Sequence, residues 1–272
     1  TGSTDGIGRF TAGLLARDGY RVLLHGRSED SVARAVASVR RDHPHAEVDG
    51  FHADLSSMAA VRRLAGEVAA KYPALDGLLN NAGTFDGGYT GARVDTAEGL
   101  ELSLAVNVCA PFLLTALLLG ALRRGDRARV LFTSSLSQGA TDALEDLNLR
   151  EGYSAHRAYS LSKLCCAMLA FECHARYGEP PALTFNTMDP GTVDTKMLRA
   201  GWWSGGASVT TATTSHALLT RPDLEAVSGE YFVGSRPGRA LPPVYDAAQR
   251  AALWDKLVAL TGAQWEAPAR AG

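Results

Sequence analysis

The sequence predicts a single α/β domain in which helices cover both faces of a parallel sheet. Three observations lead to this fold class. The chain has 272 residues, which is enough for one large domain with a full core. Short apolar runs alternate with longer segments of helical periodicity, the pattern of successive βαβ units. The chain also opens on a glycine-rich turn, residues 1–8, of the kind that joins the first strand to the first helix of a doubly wound sheet.

Six strands and six helices account for most of the chain. The predicted strands are 20–25, 48–53, 77–80, 129–133, 182–188 and 230–233, and the predicted helices are 9–18, 30–42, 58–71, 98–123, 158–177 and 246–260. No strand precedes the opening turn, so we expect a fragment whose first strand is missing, and a targeting segment before it stays open. Counting that strand as number one, the expected order of this three-layer α/β/α Rossmann domain is 3-2-1-4-5-6-7.

Composition and charge argue against several classes of protein. The net charge of −2 gives no basic field for nucleic acid or an anionic membrane. The longest apolar run, 110–122, is too short to span a bilayer, so we expect no membrane segment and a cytoplasmic protein. The four cysteines fall in two predicted helices, which favours buried free thiols over disulfides.

The opening turn carries glycines at positions 2, 6 and 8. Glycines let a backbone turn tightly and approach a pyrophosphate, whose charge then lies at the helix N-terminus. Loops also use glycine for steric reasons, and the spacing Gly-x-x-x-Gly-x-Gly is wider than the ordinary dinucleotide fingerprint. By itself the turn leaves a phosphate site and an ordinary loop equally open.

The end of the second strand bears on the choice of cofactor. An acidic residue there would bind the ribose hydroxyls of NAD, whereas arginine suits the 2′-phosphate of NADP. Gly26 stands where the acid is expected, and Arg27 follows it. The alternative is a solvated arginine that opens a loop. Charge complementarity favours NADP(H) over NAD(H).

Tyr159 and Lys163 carry the central chemical signal. Positions i and i+4 of a helix share a face, so both side chains can point into one cleft. A phenol is a poor base at neutral pH, but an adjacent ammonium stabilises its phenolate and makes proton transfer usable. The chain has 23 Arg and only 4 Lys, so a lysine at this position suggests that arginine would not serve there. Upstream, the strand 129–133 ends in Ser134 and Ser135, either of which could bind a substrate oxygen or cap a turn.

These motifs occur in the order found in the short-chain dehydrogenase/reductase family, which the chain resembles over nearly its whole length. The motifs are Thr-Gly-x-x-x-Gly-Ile-Gly at 1–8, Asn80-Asn81-Ala82-Gly83, Asn107 in a helix, a serine at a strand end, Tyr-x-x-x-Lys at 159–163 and Pro190-Gly191-x-Val193-x-Thr195. The spacing of 24 residues from Ser135 to Tyr159, the segment 229–232 and the Trp254 helix resemble the retinol dehydrogenase and WW-domain oxidoreductase branch.

The resemblance implies roles for the matching positions. The implied catalytic residues are Asn107, Ser135, Tyr159 and Lys163, with Ser135 preferred to Ser134 for the substrate oxygen and Asn107 holding a proton-relay water. The implied cofactor contacts are Gly2, Ser3, Gly6, Ile7, Gly8, Arg27, Asp54, Asn81, Ala82, Gly83, Tyr159, Lys163, Pro190, Gly191, Thr192 and Thr195. No metal ligand is implied.

Four of these positions keep alternatives. Asp54 could contact the adenine or cap the following helix, and Asn81 could brace the sheet or stabilise a turn. Thr192 and Thr195 would meet the nicotinamide amide or the pyrophosphate. Asp5 departs from the pattern of NADP-preferring relatives, because an acid pointing inward would repel a 2′-phosphate.

The predicted function is NADP(H)-dependent hydride transfer that reduces an aldehyde or ketone, or oxidises the corresponding alcohol, in a small-molecule substrate, with Tyr159 as general acid and base. The alternatives are a catalytically idle dinucleotide-binding scaffold and an enoyl reductase. The whole chain, 1–272, is expected to be one domain, in which 196–228 is a substrate-loop insertion. Its Trp202 and Trp203 would line a lid or pack in an oligomer, and a homo-oligomer is left open.

Overall fold

The computed structural model of the chain describes residues 1–85, 92–202 and 205–267. Its strands are β1 (Val22–Gly26), β2 (Val48–His52), β3 (Gly77–Asn80), β4 (Ala128–Thr133), β5 (Leu183–Asp189), β6 (Tyr231–Val233) and β7 (Arg236–Pro237). All neighbouring strands pair in parallel except β6 and β7. The six predicted strands are confirmed, and the short antiparallel β7 is an addition to them.

Helices alternate with the strands. They are α1 (Gly6–Arg17), α2 (Glu29–Asp42), α3 (Met58–Lys71), α4 (Leu102–Leu104), α5 (Ala110–Arg123), α6 (Ala155–Tyr177), α7 (Lys196–Trp202), α8 (Thr214–Thr220) and α9 (Ala247–Thr261). A π turn, Ala105–Cys109, joins α4 to α5. Four of the longer helices start at a residue whose side chain accepts a backbone N–H group of the first turn. These capping residues are Ser28 for α2, Ser57 for α3, Ser154 for α6 and Asp246 for α9.

The sheet consists of two parts, β1-β2 and β3-β4-β5-β6-β7. This arrangement agrees with the predicted order on either side of position one. A cavity of about 330 Å³ with largely apolar walls lies between the two parts, lined by β1, β3 and the helices that cover them. The opening loop crosses one end of this gap, because the backbone nitrogen of Thr1 donates to Leu79 O (2.7 Å) and Ser3 N–H donates to His25 O (2.8 Å).

Three layers form around the central strands β4 and β5, whose residues are all buried. Helices α3, α5 and α6 cover one face, and α1, α2 and α8 cover the other. The stretch Leu102–Arg123 is long and apolar enough to cross a membrane, but 83% of its most apolar 18-residue window is buried inside the protein, as in the core helix of a globular domain. The four cysteines are buried free thiols, as predicted.

The interval 196–228 holds more regular structure than the sequence indicates. Helix α8 packs against β4, with Leu218 and Ser215 buried, so this part of the interval belongs to the core. Its seven residues include two threonines, Thr214 and Thr220, and β-branched residues weaken the helical pattern in the sequence. The side chain of Trp202 and the whole of Trp203 lie outside the described residues, and the substrate-loop role of the interval stays a prediction.

Candidate active site

Helix α6 brings Tyr159 and Lys163 to the same face, next to the end of β4. Both side chains are buried, with 7% and 3% of their surface exposed. The Lys163 ammonium donates to Thr133 O (2.9 Å) and lies 5.4 Å from the centre of the Tyr159 ring. A carbonyl at the end of the strand therefore fixes the position of the cation relative to the phenol. The helical spacing predicted this juxtaposition, but not the carbonyl that holds it.

Asn107 lies in the π turn, fully buried. Its amide nitrogen donates to Thr84 O (3.0 Å) and Ser162 Oγ (2.9 Å), and its side-chain oxygen accepts from Thr84 N–H (2.7 Å). A π turn interrupts the regular helical hydrogen bonds and is frequent at functional sites. Here the main-chain oxygen of Asn107 accepts from the thiol of Cys166 (3.0 Å), and burial raises the pKa of that thiol, which keeps it a donor. The relay water predicted for Asn107 stays a prediction.

The two serines after β4 differ in their surroundings. Ser134 is buried and donates its hydroxyl to Lys163 O (2.7 Å), which fastens the strand end to α6. Ser135 is half-buried, and its hydroxyl accepts from Ser137 N–H (3.0 Å) in a local turn. This turn leaves the Ser135 hydroxyl proton available for a substrate oxygen. Ser135 therefore has the more accessible hydroxyl of the two, and its role towards a substrate oxygen stays a prediction.

The predicted cofactor residues of the opening loop meet the Asn81-Ala82-Gly83 segment. Asn81 donates its side-chain amide to Thr1 O (3.0 Å) and Gly2 O (3.3 Å), so it braces the loop rather than only its own turn. Gly2 has φ +64°, and a Cβ on it would lie 2.7 Å from Ala82 Cα, so no larger residue fits. On the other side, a Cβ on Gly83 would lie 3.3 Å from Asn107 Oδ1 and 3.6 Å from Lys163 Nζ. This segment therefore links the loop to the Tyr159–Lys163 group.

The loop after β5 reaches the same place. Gly6 packs against the methyl group of Thr195, whose hydroxyl accepts from Leu198 N–H (3.2 Å) and begins α7. The main-chain oxygen of Thr192 accepts from Ala207 N–H (2.8 Å). Ile7 is half-buried in the first turn of α1, and Pro190 is half-buried beside an exposed Gly191. The structure thus gathers the glycine-rich loop and Thr195 at one edge of the sheet.

Arg27 and Asp54 lie at the ends of β1 and β2, away from the Tyr159–Lys163 group. Arg27 is exposed and makes no ion pair with any acid in the described part of the chain. Asp54 is also exposed, and its carboxylate accepts from Ser56 N–H (2.9 Å) in a turn. Ser57, not Asp54, caps α3, so the capping alternative for Asp54 is wrong.

Asp5 turns towards α7. Its carboxylate accepts from Gly6 N–H (2.9 Å) and pairs with Lys196 Nζ (2.7 Å). The hydrogen bond from Lys196 holds the pKa of this carboxyl below its ordinary range. Asp5, the residue that departs from the pattern of NADP-preferring relatives, therefore forms an ion pair with Lys196, which lies 191 positions later in the sequence.

The sequence analysis did not single out His25, but in the structure its ring contacts both the opening loop and the chain after β2. Its ring accepts from Gly2 N–H at Nδ1 (3.2 Å), and Nε2 lies 3.1 Å from Ala53 O. Burial lowers the pKa of the imidazole to about 3, so the ring is neutral with its proton on Nε2 for that carbonyl. It holds the opening loop and the chain after β2 on either side of β1.

Phe85 forms an aromatic wall beside Tyr159. Its ring is 8% exposed and makes edge contacts with the rings of Tyr159 (5.7 Å) and His156 (4.9 Å). Gly201 of α7 packs so closely that a Cβ there would lie 3.2 Å from the Phe85 ring, and its carbonyl oxygen lies 3.3 Å from His156 Nε2. Phe85, His156 and Gly201 belong to no sequence motif, so the sequence analysis did not predict that they meet beside Tyr159. Among the described residues no group of three or more His, Cys, Asp or Glu could hold a metal.

The chain is similar to one family of enzymes and to several characterised members of it. A family model described as short chain dehydrogenase matches residues 1–202. The chain is 34% identical to mouse polyprenol dehydrogenase, over 97% of this chain and 83% of that protein. It is 32% identical to human retinol dehydrogenase 14, over 94% and 83%. An Escherichia coli CFT073 protein described as a short-chain dehydrogenase, solved in complex with NADPH, is similar with a TM-score of 0.69 and 26% identity, over 86% of this chain and 94% of that one.

Proposed function

Because the chain belongs to the short-chain dehydrogenase family, we propose that it uses NADP(H) to interconvert an apolar alcohol and its aldehyde or ketone, with Tyr159 as the proton carrier. Family membership makes it an oxidoreductase that acts on CH–OH or C=O groups, as predicted. The likeness to retinol dehydrogenase 14 confirms the predicted retinol dehydrogenase-like branch.

The observation that carries the proposal is the arrangement of Tyr159 and Lys163 beside the end of β4. In the direction of reduction, the Tyr159 hydroxyl donates its proton to the carbonyl oxygen as negative charge develops there. In the direction of oxidation, the phenolate accepts the proton of the alcohol. The buried Lys163 ammonium, 5.4 Å from the ring centre, stabilises the phenolate in both directions. Ser135 donates to the same substrate oxygen and orients it.

The residues at the edge of the sheet fit a dinucleotide. The glycine-rich turn leads into α1, a helix of 12 residues whose first-turn N–H groups after Gly6 suit a pyrophosphate. Loops after β1, β3 and β5 surround it, at the carboxyl ends where doubly wound sheets bind such ligands. When bound, NADP(H) supplies or accepts the hydride at the substrate carbon. The exposed Arg27, without an acidic partner in the described residues, supports the 2′-phosphate and hence NADP(H).

Two observations support an apolar substrate. Leu136, next to Ser135, exposes 65% of its surface, and the Phe85 ring lies against Tyr159. A single exposed leucine is ordinary on a protein surface, but this one adjoins the proposed oxygen-binding serine. The names of the two relatives, polyprenol dehydrogenase and retinol dehydrogenase, refer to long apolar alcohols, and we extend that class to this chain.

The test is a cofactor-consumption assay with a defined panel. Purified protein is given NADPH or NADH with retinaldehyde, a long-chain isoprenoid aldehyde, a short polar aldehyde and an enone, and the products are identified by mass spectrometry. We expect NADPH oxidation with the long apolar aldehydes and formation of their alcohols. Saturation of the C=C bond of the enone would indicate an enoyl reductase, and NADPH binding without any turnover would indicate the idle scaffold.

A further inference from the structure

Asp189 ends β5 and exposes only 5% of its surface. Its two carboxylate oxygens accept from two different loops. Oδ2 accepts from Leu136 N–H (2.7 Å), in the loop after β4, and Oδ1 accepts from Gly191 N–H (2.7 Å), in the loop after β5. No Lys, Arg or His in the described ranges forms an ion pair with it.

A buried carboxylate without a cation is costly unless hydrogen bonds compensate for the lost water. Both bonds here are short and charge-assisted, which makes them about twice as strong as neutral ones. The pairing of β4 with β5 does not need this side chain, because Ser134 N–H already donates to Met188 O (2.8 Å). The carboxylate therefore acts beyond the ends of the strands, on the two loops alone.

Both loops carry residues of the candidate active site. Leu136 is the middle residue of the turn in which Ser135 Oγ accepts from Ser137 N–H, so Asp189 fixes the backbone on which the Ser135 hydroxyl stands. Gly191 adopts φ +86° directly after Pro190, so the second bond fixes a turn that only glycine forms readily. One side chain thus sets the separation of the two turns.

We propose that Asp189 is a positioning residue for hydride transfer: it holds the Ser135 turn and the Gly191 turn in the single arrangement that lets Ser135 orient the substrate oxygen. This inference rests on the proposed function. Asp189 acts through Ser135 and does not itself touch the reacting atoms. A displacement of about 1 Å at such a position costs on the order of 10²-fold in rate.

The test variant is Asp189→Asn, which keeps the shape but turns an NH₂ group towards one of the two N–H donors. We expect turnover per NADPH-binding site to fall at least about tenfold. The matched control is Glu172→Gln, which removes another buried carboxylate. Glu172 lies near the end of α6, is 6% exposed, and pairs with Arg176 of the same helix and Arg250 of α9. The control should lower the melting temperature while its turnover stays within about twofold of the wild type.

A double-mutant cycle separates positioning from general stability. If Asp189 acts through Ser135, then Asp189→Asn should lower turnover by less than about twofold in the Ser135→Ala background. Equal losses in both backgrounds, or full turnover of the folded single variant, would overturn the proposal.

Hydrogen exchange keeps the inference testable if the wild type shows no turnover at all, which would count against the proposed function and not against the contact. Peptides covering 135–137 and 190–192 should exchange faster in Asp189→Asn than in Glu172→Gln. Equal exchange in the two variants would overturn the positioning role.

Discussion

Tyr159→Phe is the sharpest perturbation of the proposed chemistry, because it removes one oxygen atom and leaves the ring. The ring is 93% buried and packs edge-on against Phe85 at 5.7 Å. Those contacts survive the substitution, so the free energy of unfolding should change by only about 1 kcal/mol, the net worth of a hydrogen bond. For a protein of this size, that corresponds to a shift in melting temperature of roughly 2–4 °C.

The effect on turnover should be far larger. Loss of the proton carrier removes general acid–base catalysis, which contributes at least ~10²-fold. This factor corresponds to about 2.7 kcal/mol in the activation free energy. The steady-state kcat with NADPH and a responsive aldehyde measures it, while quenching of tryptophan fluorescence by NADPH should give an almost unchanged Kd. A folded phenylalanine variant that keeps more than about half its turnover refutes the role of Tyr159.

Three further perturbations test the cofactor site and the opening loop. Arg27→Ala should weaken NADPH binding by roughly 1.5–3 kcal/mol, the worth of a charge-assisted hydrogen bond, and barely affect NADH; isothermal titration with both cofactors measures this, and equal losses would contradict the preference for NADP(H). Gly8→Ala would place a Cβ 2.4 Å from the carbonyl oxygen of Gly2, so both the melting temperature and NADPH binding should fall, whereas Gly66→Ala in α3, where a Cβ meets no atom within 4 Å, should stabilise by about 0.5–1 kcal/mol. His25 has a folded pKa of about 3, below its unfolded value of 6.5, so its contribution to stability is fully present above pH 6.5 and is lost as the pH falls towards 3. The melting temperature should therefore fall less steeply between pH 7 and pH 4 in His25→Gln than in the wild type. Parallel curves for the two proteins would show that another group controls the loss of stability in acid.

The sequence by itself determined the type and order of the elements and the positions of the family motifs. Apolar periodicity located every strand from Val22–Gly26 to Tyr231–Val233 to within three residues. It could do so because strand positions that are buried on one face or both carry apolar residues, and this pattern is visible in the local sequence. The helical spacing also placed Tyr159 and Lys163 on one face, since i and i+4 are neighbours on any helix.

Only the tertiary structure decided which polar atoms meet across elements. His25 reaches Gly2 and Ala53, and Asp189 joins the loops of Ser135 and Gly191, over separations from 2 to 53 positions. Such partners follow no period, because a hydrogen bond depends on the placement of two backbones to within a few tenths of an ångström. The sequence predicted a substrate-binding serine, Ser135, at the end of β4. Only the fold showed that the Asp189 carboxylate binds the backbone next to it.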